Sequence, residues 1–207
     1  MKKQTRSRVV TLITLLLALF LYSSLTAYAQ EGDPPPTEPE VSAPPSPTPA
    51  PKVVINEVDV GTIDRVELYN YGSYSVDLTG WEFHALYDGI APTTWTLPSF
   101  TLPAYSYVTL DERAGTNTAT HLYFAENINW GPGKDEAAQL LDDGGDGIDF
   151  LRWESSSQAP PTGTSWYGSN PQGTPSLVGP QLARYPNGVD TDYGVDWCLQ
   201  DLSLIHI

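Results

Sequence analysis

The chain has 207 residues, with 25 acidic side chains against 10 basic ones and a formal net charge of −15 at pH 7. A surface this acidic repels phosphate backbones and anionic lipid, so the composition argues against nucleic-acid binding and against binding to an anionic membrane surface. A neutral or cationic partner is expected instead. Cys198 stands alone in the sequence, which excludes a disulfide between two of these residues.

Residues 1–29 have the features of an export signal. A basic start is followed by an apolar stretch over 9–22, and Ala27 and Ala29 occupy the small-residue positions before a cleavage point. We therefore expect cleavage before Gln30 and a secreted, extracytoplasmic or cell-surface location, with an uncleaved membrane anchor as the alternative. Removal of this segment would take away four basic residues and no acidic one, which shifts the formal net charge from −15 to −19.

Residues 30–51 form a predicted linker. Nine of the residues from 31 to 51 are proline, and acids, serines and threonines lie between them. Such a composition is extended and solvated, so we expect a spacer rather than a packed structure.

The predicted folded domain spans residues 52–201, including a C-terminal extension. It contains short runs rich in β-branched and aromatic residues, which Gly, Pro, Asn and Asp clusters separate. Helical periodicity is missing outside the leader, so the sequence predicts an all-β fold. The runs cover residues 52–60, 64–70, 76–87, 93–100, 105–112, 121–127, 136–143 and 147–154.

Glu67, in the run VELYN, is the first candidate for catalysis. A general acid or base needs a partner within hydrogen-bond reach, and the sequence offers only Glu57 on the neighbouring predicted strand. Asn70, before Tyr71 and Gly72, is the residue type that starts a turn through its own backbone. No nucleophile elbow, His-Glu-x-x-His pair or phosphate loop occurs in the sequence. We interpret Glu67 as part of the scaffold, predict no catalytic residue, and expect a protein that is not an enzyme.

Two acidic segments could hold a cation. Asp190, Asp192 and Asp196 offer oxygen ligands on a glycine-containing loop, which makes them the candidate calcium site. The alternative is that these are ordinary turn residues. The segment 142–149 breaks the register of a calcium-binding loop and is better interpreted as a hairpin turn. No other cofactor is expected.

Aromatic residues are the remaining candidates for ligand contact. Trp81 and Trp153 are expected in the core, where strand tryptophans usually lie. Trp130, Trp166 and Tyr167 lie in predicted loops and could stack on a sugar or contact a protein. Packing over an open sheet face is the alternative.

The order of INEV, VELYN, VDLTGW and LLDDGGDGIDFLRW resembles the successive strands of a lamin tail domain. Residues 181–197 are similar to a segment that often follows in bacterial secreted members. The resemblance implies an immunoglobulin-like β-sandwich that has no catalytic site and acts as a binding or tethering unit. The final residues, 202–207, resemble a translated sequencing adapter, with a genuine apolar strand as the alternative; we expect the natural protein to continue past Asp201.

Three functions remain compatible with these features. The first is a non-catalytic extracytoplasmic binding or tethering module on a proline-rich stalk, contacting an unknown protein or carbohydrate of the cell envelope or exterior. The second is an accessory domain of a larger secreted enzyme, a nuclease or phosphatase. The third is a carbohydrate-binding adhesin.

Overall fold

Twelve β-strands and one short 3₁₀ turn form the regular structure of residues 50–200, the part of the chain that the computed structural model describes. The predicted leader, nearly all of the predicted linker and the adapter-like end lie outside these residues. The described residues belong to one compact unit, and among them no helix is long and apolar enough to cross a membrane.

The strand bounds match most of the predicted runs. The strands are β1 Val53–Val60, β2 Asp64–Asn70, β3 Val76–Asp77, β4 Glu82–Tyr87, β5 Ile90–Thr96, β6 Thr101–Leu102, β7 Ser106–Asp111, β8 His121–Tyr123, β9 Ala137–Leu141, β10 Gly147–Arg152, β11 Gln181–Arg184 and β12 Trp197–Gln200, and the 3₁₀ turn is Gly194–Asp196.

The larger sheet has six strands in the order β12-β11-β1-β2-β7-β8, and the smaller sheet has four in the order β10-β9-β4-β5. Neighbours are antiparallel except β7 and β8, which are parallel. A two-stranded ribbon of β3 and β6 completes the fold. The predicted hairpin turn between β9 and β10 is confirmed, because the N–H of Asp142 donates to the carbonyl of Asp146 at 2.9 Å.

The two sheets pack face to face as a sandwich, which confirms the all-β prediction. Alternate residues of β1 and β2 point into the interface, since successive side chains of a strand face opposite sides. Ile55, Val58, Val66 and Leu68 are fully buried there. Trp81 and Trp153 are also in the core, as predicted, at 4% and 0% exposed.

Strands β11 and β12 extend the larger sheet beyond the predicted runs. β1 pairs with β2 on one side and with β11 on the other, and β11 pairs in turn with β12. The segment after Glu154, called the C-terminal extension from here on, therefore supplies two of the six strands of the larger sheet. The sequence did not indicate these strands, because QLAR and WCLQ are four-residue runs of mixed polarity.

Candidate functional site

Trp130 lies in the core rather than on the surface. Its side chain is 5% exposed, and its ring meets Trp153 edge to face at a centroid distance of 5.1 Å. A second edge contact joins it to Phe83 at 6.0 Å. The exposed position that the sequence suggested for this tryptophan is therefore wrong.

The loop that carries Trp130 is held by side chains from the surrounding strands and loops. Four successive backbone N–H groups each donate to one side-chain oxygen. The pairs are Ile128 with Glu112, Asn129 with Tyr87, Trp130 with Asp64 and Gly131 with Glu136, at N···O distances of 2.9, 3.0, 3.2 and 3.0 Å. Because a buried N–H without a partner is costly, these acceptors let a Gly- and Asn-containing loop enter the core.

Two of these acceptors are carboxyl groups with strongly raised pKa values. Burial, reinforced by nearby Glu112, raises the pKa of Asp64 to about 8. Burial raises the pKa of Glu136 to about 7, although the N–H of Gly131 opposes the change. One oxygen of Asp64 and one of Glu136 are buried without a hydrogen-bond partner, which suits a protonated carboxyl group better than a carboxylate.

Glu57 and Glu67 face each other across the β1–β2 pair. Their side chains are 6% and 3% exposed. Burial raises the pKa of Glu57 to about 8, with Glu67 and then Asp59 adding to the increase. Burial also raises the pKa of Glu67 to about 7, against the hydrogen bond that Asn56 Nδ2 donates to Glu67 Oε1 at 2.9 Å.

This carboxyl pair supports the interpretation of Glu67 as scaffold. Asn56 donates to Glu67 and accepts the N–H of Gly188 at 3.0 Å, so the carboxyl group ends a buried hydrogen-bond chain from the extension to β2. Strongly shifted carboxyl groups also occur in active sites. Here, however, both glutamates are too buried to meet a substrate, and no described histidine or nucleophile bonds to either. Asn70 starts its turn as predicted, accepting the N–H of Gly72 at 3.0 Å.

Arg184 joins the extension to the sandwich. Its side chain is 1% exposed, and Nη2 donates to both oxygens of Asp149 at 2.8 and 2.9 Å. Nε donates to the carbonyl of Ile55 at 2.8 Å, while Asp149 accepts the N–H of the same residue at 2.7 Å. The guanidinium also lies 4.7 Å from the ring centroid of Trp197. The Arg184–Asp149 pair thus satisfies both backbone groups of Ile55, next to the β-bulge in β1.

The three candidate calcium ligands have separate partners. Asp196 is 5% exposed and accepts the N–H and hydroxyl of Thr191, both at 2.7 Å. Arg184 Nη1 lies 3.3 Å from Asp190 and 3.6 Å from Asp196. The N–H of Asp192 donates to Asp190 Oδ1 at 3.2 Å, and burial raises the pKa of the Asp192 carboxyl group, with Asp190 adding to the increase. No group of three potential ligands that could hold a metal occurs in residues 50–200, so the positive charge between Asp190 and Asp196 is the guanidinium.

Trp166 and Tyr167 lie beside this acidic loop. Trp166 is half-buried, packed edge to face on Phe150 at 5.7 Å and 5.9 Å from the Arg152 guanidinium. Tyr167 is 51% exposed. Its N–H donates to the carbonyl of Asp192 at 2.7 Å, and it forms an isolated parallel bridge with Tyr193.

Tyr193 is the site residue that the sequence did not suggest. It is 43% exposed, and its ring lies 5.3 Å from that of Tyr167 at an angle of 36°. The segment DTDYGVD drew attention through its carboxylates, and nothing in the sequence placed it beside SWYGS. The structure thus brings two of the three predicted aromatic contacts, and the predicted acidic loop, to one surface. We call Tyr167, Tyr193 and Asp192 the tyrosine site.

The comparisons with known proteins agree with the fold. A family model described as the Lamin Tail Domain matches residues 46–155, just over half of the chain. No curated protein matches the sequence. Lamin tail domains form a structural family with an immunoglobulin-like fold, and the β-sandwich described above agrees with that fold. This protein belongs to the lamin tail domain family.

Proposed function

We propose that this protein is a non-catalytic binding module, displayed outside the cytoplasm on its proline-rich stalk, which tethers a component of the cell envelope or exterior. One observation carries the proposal. Tyr167 and Tyr193 expose about half of their surfaces, at 51% and 43%, side by side on two loops. Arg184 binds the loop of Tyr193 to the sandwich, and the N–H of Tyr167 joins its own loop to that one through the carbonyl of Asp192. Exposed tyrosine on a rigid support is typical of binding surfaces, because a tyrosine ring offers a large contact at a low entropic cost.

The display outside the cytoplasm follows from the leader-like residues 1–29 and the proline-rich residues 30–51. The formal net charge of −15 favours neutral or cationic partners over anionic ones. The proposal accordingly excludes duplex DNA as the ligand.

The proposed lack of catalysis follows from the contacts that the shifted carboxyl groups already make. Asp64 and Glu136 bind backbone N–H groups, and Glu67 binds Asn56. Acid–base catalysis would need such a group to face a substrate in a cleft.

Binding to isolated cell envelopes tests the proposal. We expect the secreted protein to co-sediment with envelopes, and the Tyr167→Ala/Tyr193→Ala variant to lose this association while it keeps its melting temperature. Tyr105→Ala is the matched control, since Tyr105 is 63% exposed but lies in the turn between β6 and β7. Equal binding by all three proteins, or binding by none, would contradict the proposal.

Turnover assays test its non-catalytic part. We expect no nuclease, phosphatase, protease or glycosidase activity from the secreted protein, and no duplex DNA binding at physiological salt. Hydrolysis that disappears in Glu67→Gln without any change in the melting curve would overturn this part of the proposal.

A further inference from the structure

The tyrosine site differs from the other ring contacts of the described residues in its exposure. Rings that touch one another elsewhere in residues 50–200 belong to buried or half-buried side chains. Tyr167 and Tyr193 are both exposed, and neither hydroxyl has a hydrogen-bond partner within the described chain. Their free faces and hydroxyl groups are therefore available to a ligand.

Close backbone packing fixes the positions of the two rings. A side chain at Gly168 would bring its Cβ to 3.3 Å from the ring of Tyr193, and one at Gly194 would collide with the carbonyl oxygen of Ser169. The loops therefore touch through glycines, in addition to the bond between Tyr167 and the carbonyl of Asp192. A site held in this way loses little conformational entropy when a ligand binds.

The charge around the rings is negative. Asp192 forms no ion pair with any side chain of residues 50–200, and it lies directly before Tyr193, with its backbone carbonyl accepting the N–H of Tyr167 at 2.7 Å. Asp190 lies on the same loop and shares Arg184 with Asp149 and Asp196. With a formal net charge of −15 over the whole chain, the site concentrates cations and repels anions.

Aromatic faces add to this preference. The face of a tyrosine ring carries a negative quadrupole, which attracts ammonium groups and attracts large, weakly hydrated ones best. A neutral ligand could contact the rings and donate a hydrogen bond to Asp192, but it would gain no attraction between opposite charges. Two half-exposed rings also cover far less area than a stable protein interface requires.

We propose that Tyr167, Tyr193 and Asp192 bind an organic ammonium group, such as a quaternary or methylated amine carried on a larger envelope molecule. The group would rest on the exposed ring faces with Asp192 as its counter-ion. This inference rests on the proposed binding function and names the chemistry of its ligand.

Choline is the probe, and 3,3-dimethylbutan-1-ol is its uncharged control of the same shape. Tyrosine ring signals of the full-length secreted protein are followed by NMR during titration with each compound. We expect saturable choline binding that is about fivefold tighter than binding of the alcohol, which is the difference that one cation–π contact contributes at an exposed site. The preference should shrink as salt is added. Equal binding of the two compounds would overturn the ammonium assignment.

Variants locate the site. Tyr193→Ala should abolish choline binding and Tyr193→Phe should retain it. Asp192→Asn should weaken it about threefold, since the amide has the size of the carboxylate but carries no charge. Tyr105→Ala should bind as the unchanged protein does. Unchanged choline binding in Tyr193→Ala would overturn the proposal.

Envelope binding distinguishes failure of this inference from failure of the proposed function. If choline does not bind but Tyr167→Ala/Tyr193→Ala still abolishes envelope binding, the ammonium inference fails and the binding function stands. Binding of chitohexaose at the tyrosine site without choline binding also overturns the ammonium inference, and it identifies a glycan as the ligand. If neither choline nor envelopes bind, both proposals fail.

Discussion

Buried carboxyl groups have different partners in the sandwich body (residues 50–154) and where the C-terminal extension (residues 155–200) meets it. In the body, Glu57, Asp64 and Glu136 are buried with no cation bonded to them, and burial raises their pKa values to about 8, 8 and 7. Where the extension meets the body, Asp149 is also buried, but Arg184 Nη2 donates to both of its oxygens. Burial raises the pKa of Asp149 only to about 6, because the guanidinium of Arg184 opposes the change. The same side-chain chemistry therefore favours protonation in one region and an ion pair in the other.

This difference shows how each region is stabilised. In the body, carboxyl groups with raised pKa values accept hydrogen bonds from the buried loop at residues 128–131. The extension is attached instead through one buried cation, the guanidinium of Arg184. The proposed binding surface lies on the extension, so its position depends on Arg184 more than on any carboxyl group of the body. A substitution at Arg184 removes the ion pair of the extension, whereas a change of pH alters the protonation of the carboxyl groups in the body.

The largest effect is expected from Arg184→Met. Removing the guanidinium leaves Asp149 as a buried charge without its cation, which costs about 3–5 kcal/mol of unfolding free energy. Urea unfolding at neutral pH measures the change. Arg113→Met is the control, because Arg113 also bonds a buried aspartate, but its own side chain is 47% exposed and Asp111 keeps Arg65 as a second partner at 2.9 Å; it should cost less than Arg184→Met. Equal costs for the two variants would contradict the central role of Arg184.

The next effect is a dependence of stability on pH. Glu57 and Asp64 have folded pKa values of about 8, and Glu67 and Glu136 of about 7, so the folded state holds protons that the unfolded chain releases near pH 4. The stability that these protonated groups contribute is complete below about pH 4, and it is lost as the pH rises through about 8. We expect the unfolding free energy to fall by at least about 2 kcal/mol between about pH 5 and pH 9.

Asp111 titrates outside this range. Burial acts to raise its pKa, but hydrogen bonds from Arg113 and Arg65 outweigh burial and lower the pKa to about 2. Its contribution is therefore present above its ordinary pKa and is lost only in stronger acid. Stability that stays constant or increases from about pH 5 to pH 9 would contradict the assignment of raised pKa values in the body.

A smaller effect is expected from Glu57→Gln. The amide cannot ionise, so it removes the like charge opposite Glu67 in alkaline solution, and we expect a gain of about 1 kcal/mol or less near pH 9. Thermal unfolding near pH 5 should show no gain, since Glu57 is protonated there. Glu126→Gln, at an exposed position, is the control and should show no pH-dependent difference.

The strands of the body could be predicted from the sequence because β-branched and aromatic residues mark them. β2 begins and ends at the predicted residues, and the scaffold role of Glu67 fits its bond to Asn56. Trp130 was placed on the surface because Gly and Asn flank it. Its burial depends on acceptors contributed by nearby Glu136 and by Asp64, which is 66 residues away in the sequence.

The candidate site was predicted only in part, for a related reason. The spacing of Asp190, Asp192 and Asp196 indicated a metal, but the cation at two of them comes from β11, which was not predicted as a strand. Tyr193 was missed because its contact with Tyr167 spans two loops that no periodic pattern connects. Long-range pairing of irregular segments leaves little local signal in a sequence.

Amide hydrogen exchange tests most directly the claim that the extension is part of the sandwich. Strands β11 and β12 are the last two strands of the larger sheet on the side of β1, and Arg184 of β11 contacts Asp190 in the loop of Tyr193. We predict that the amides of residues 181–184, and the amides of 197–200 that donate to β11, exchange as slowly as those of 53–60, through the same global unfolding. We also expect Arg184→Met to accelerate exchange in 181–200 first. Rapid exchange of 181–184 in the unchanged protein, with 53–60 fully protected, would contradict the claim.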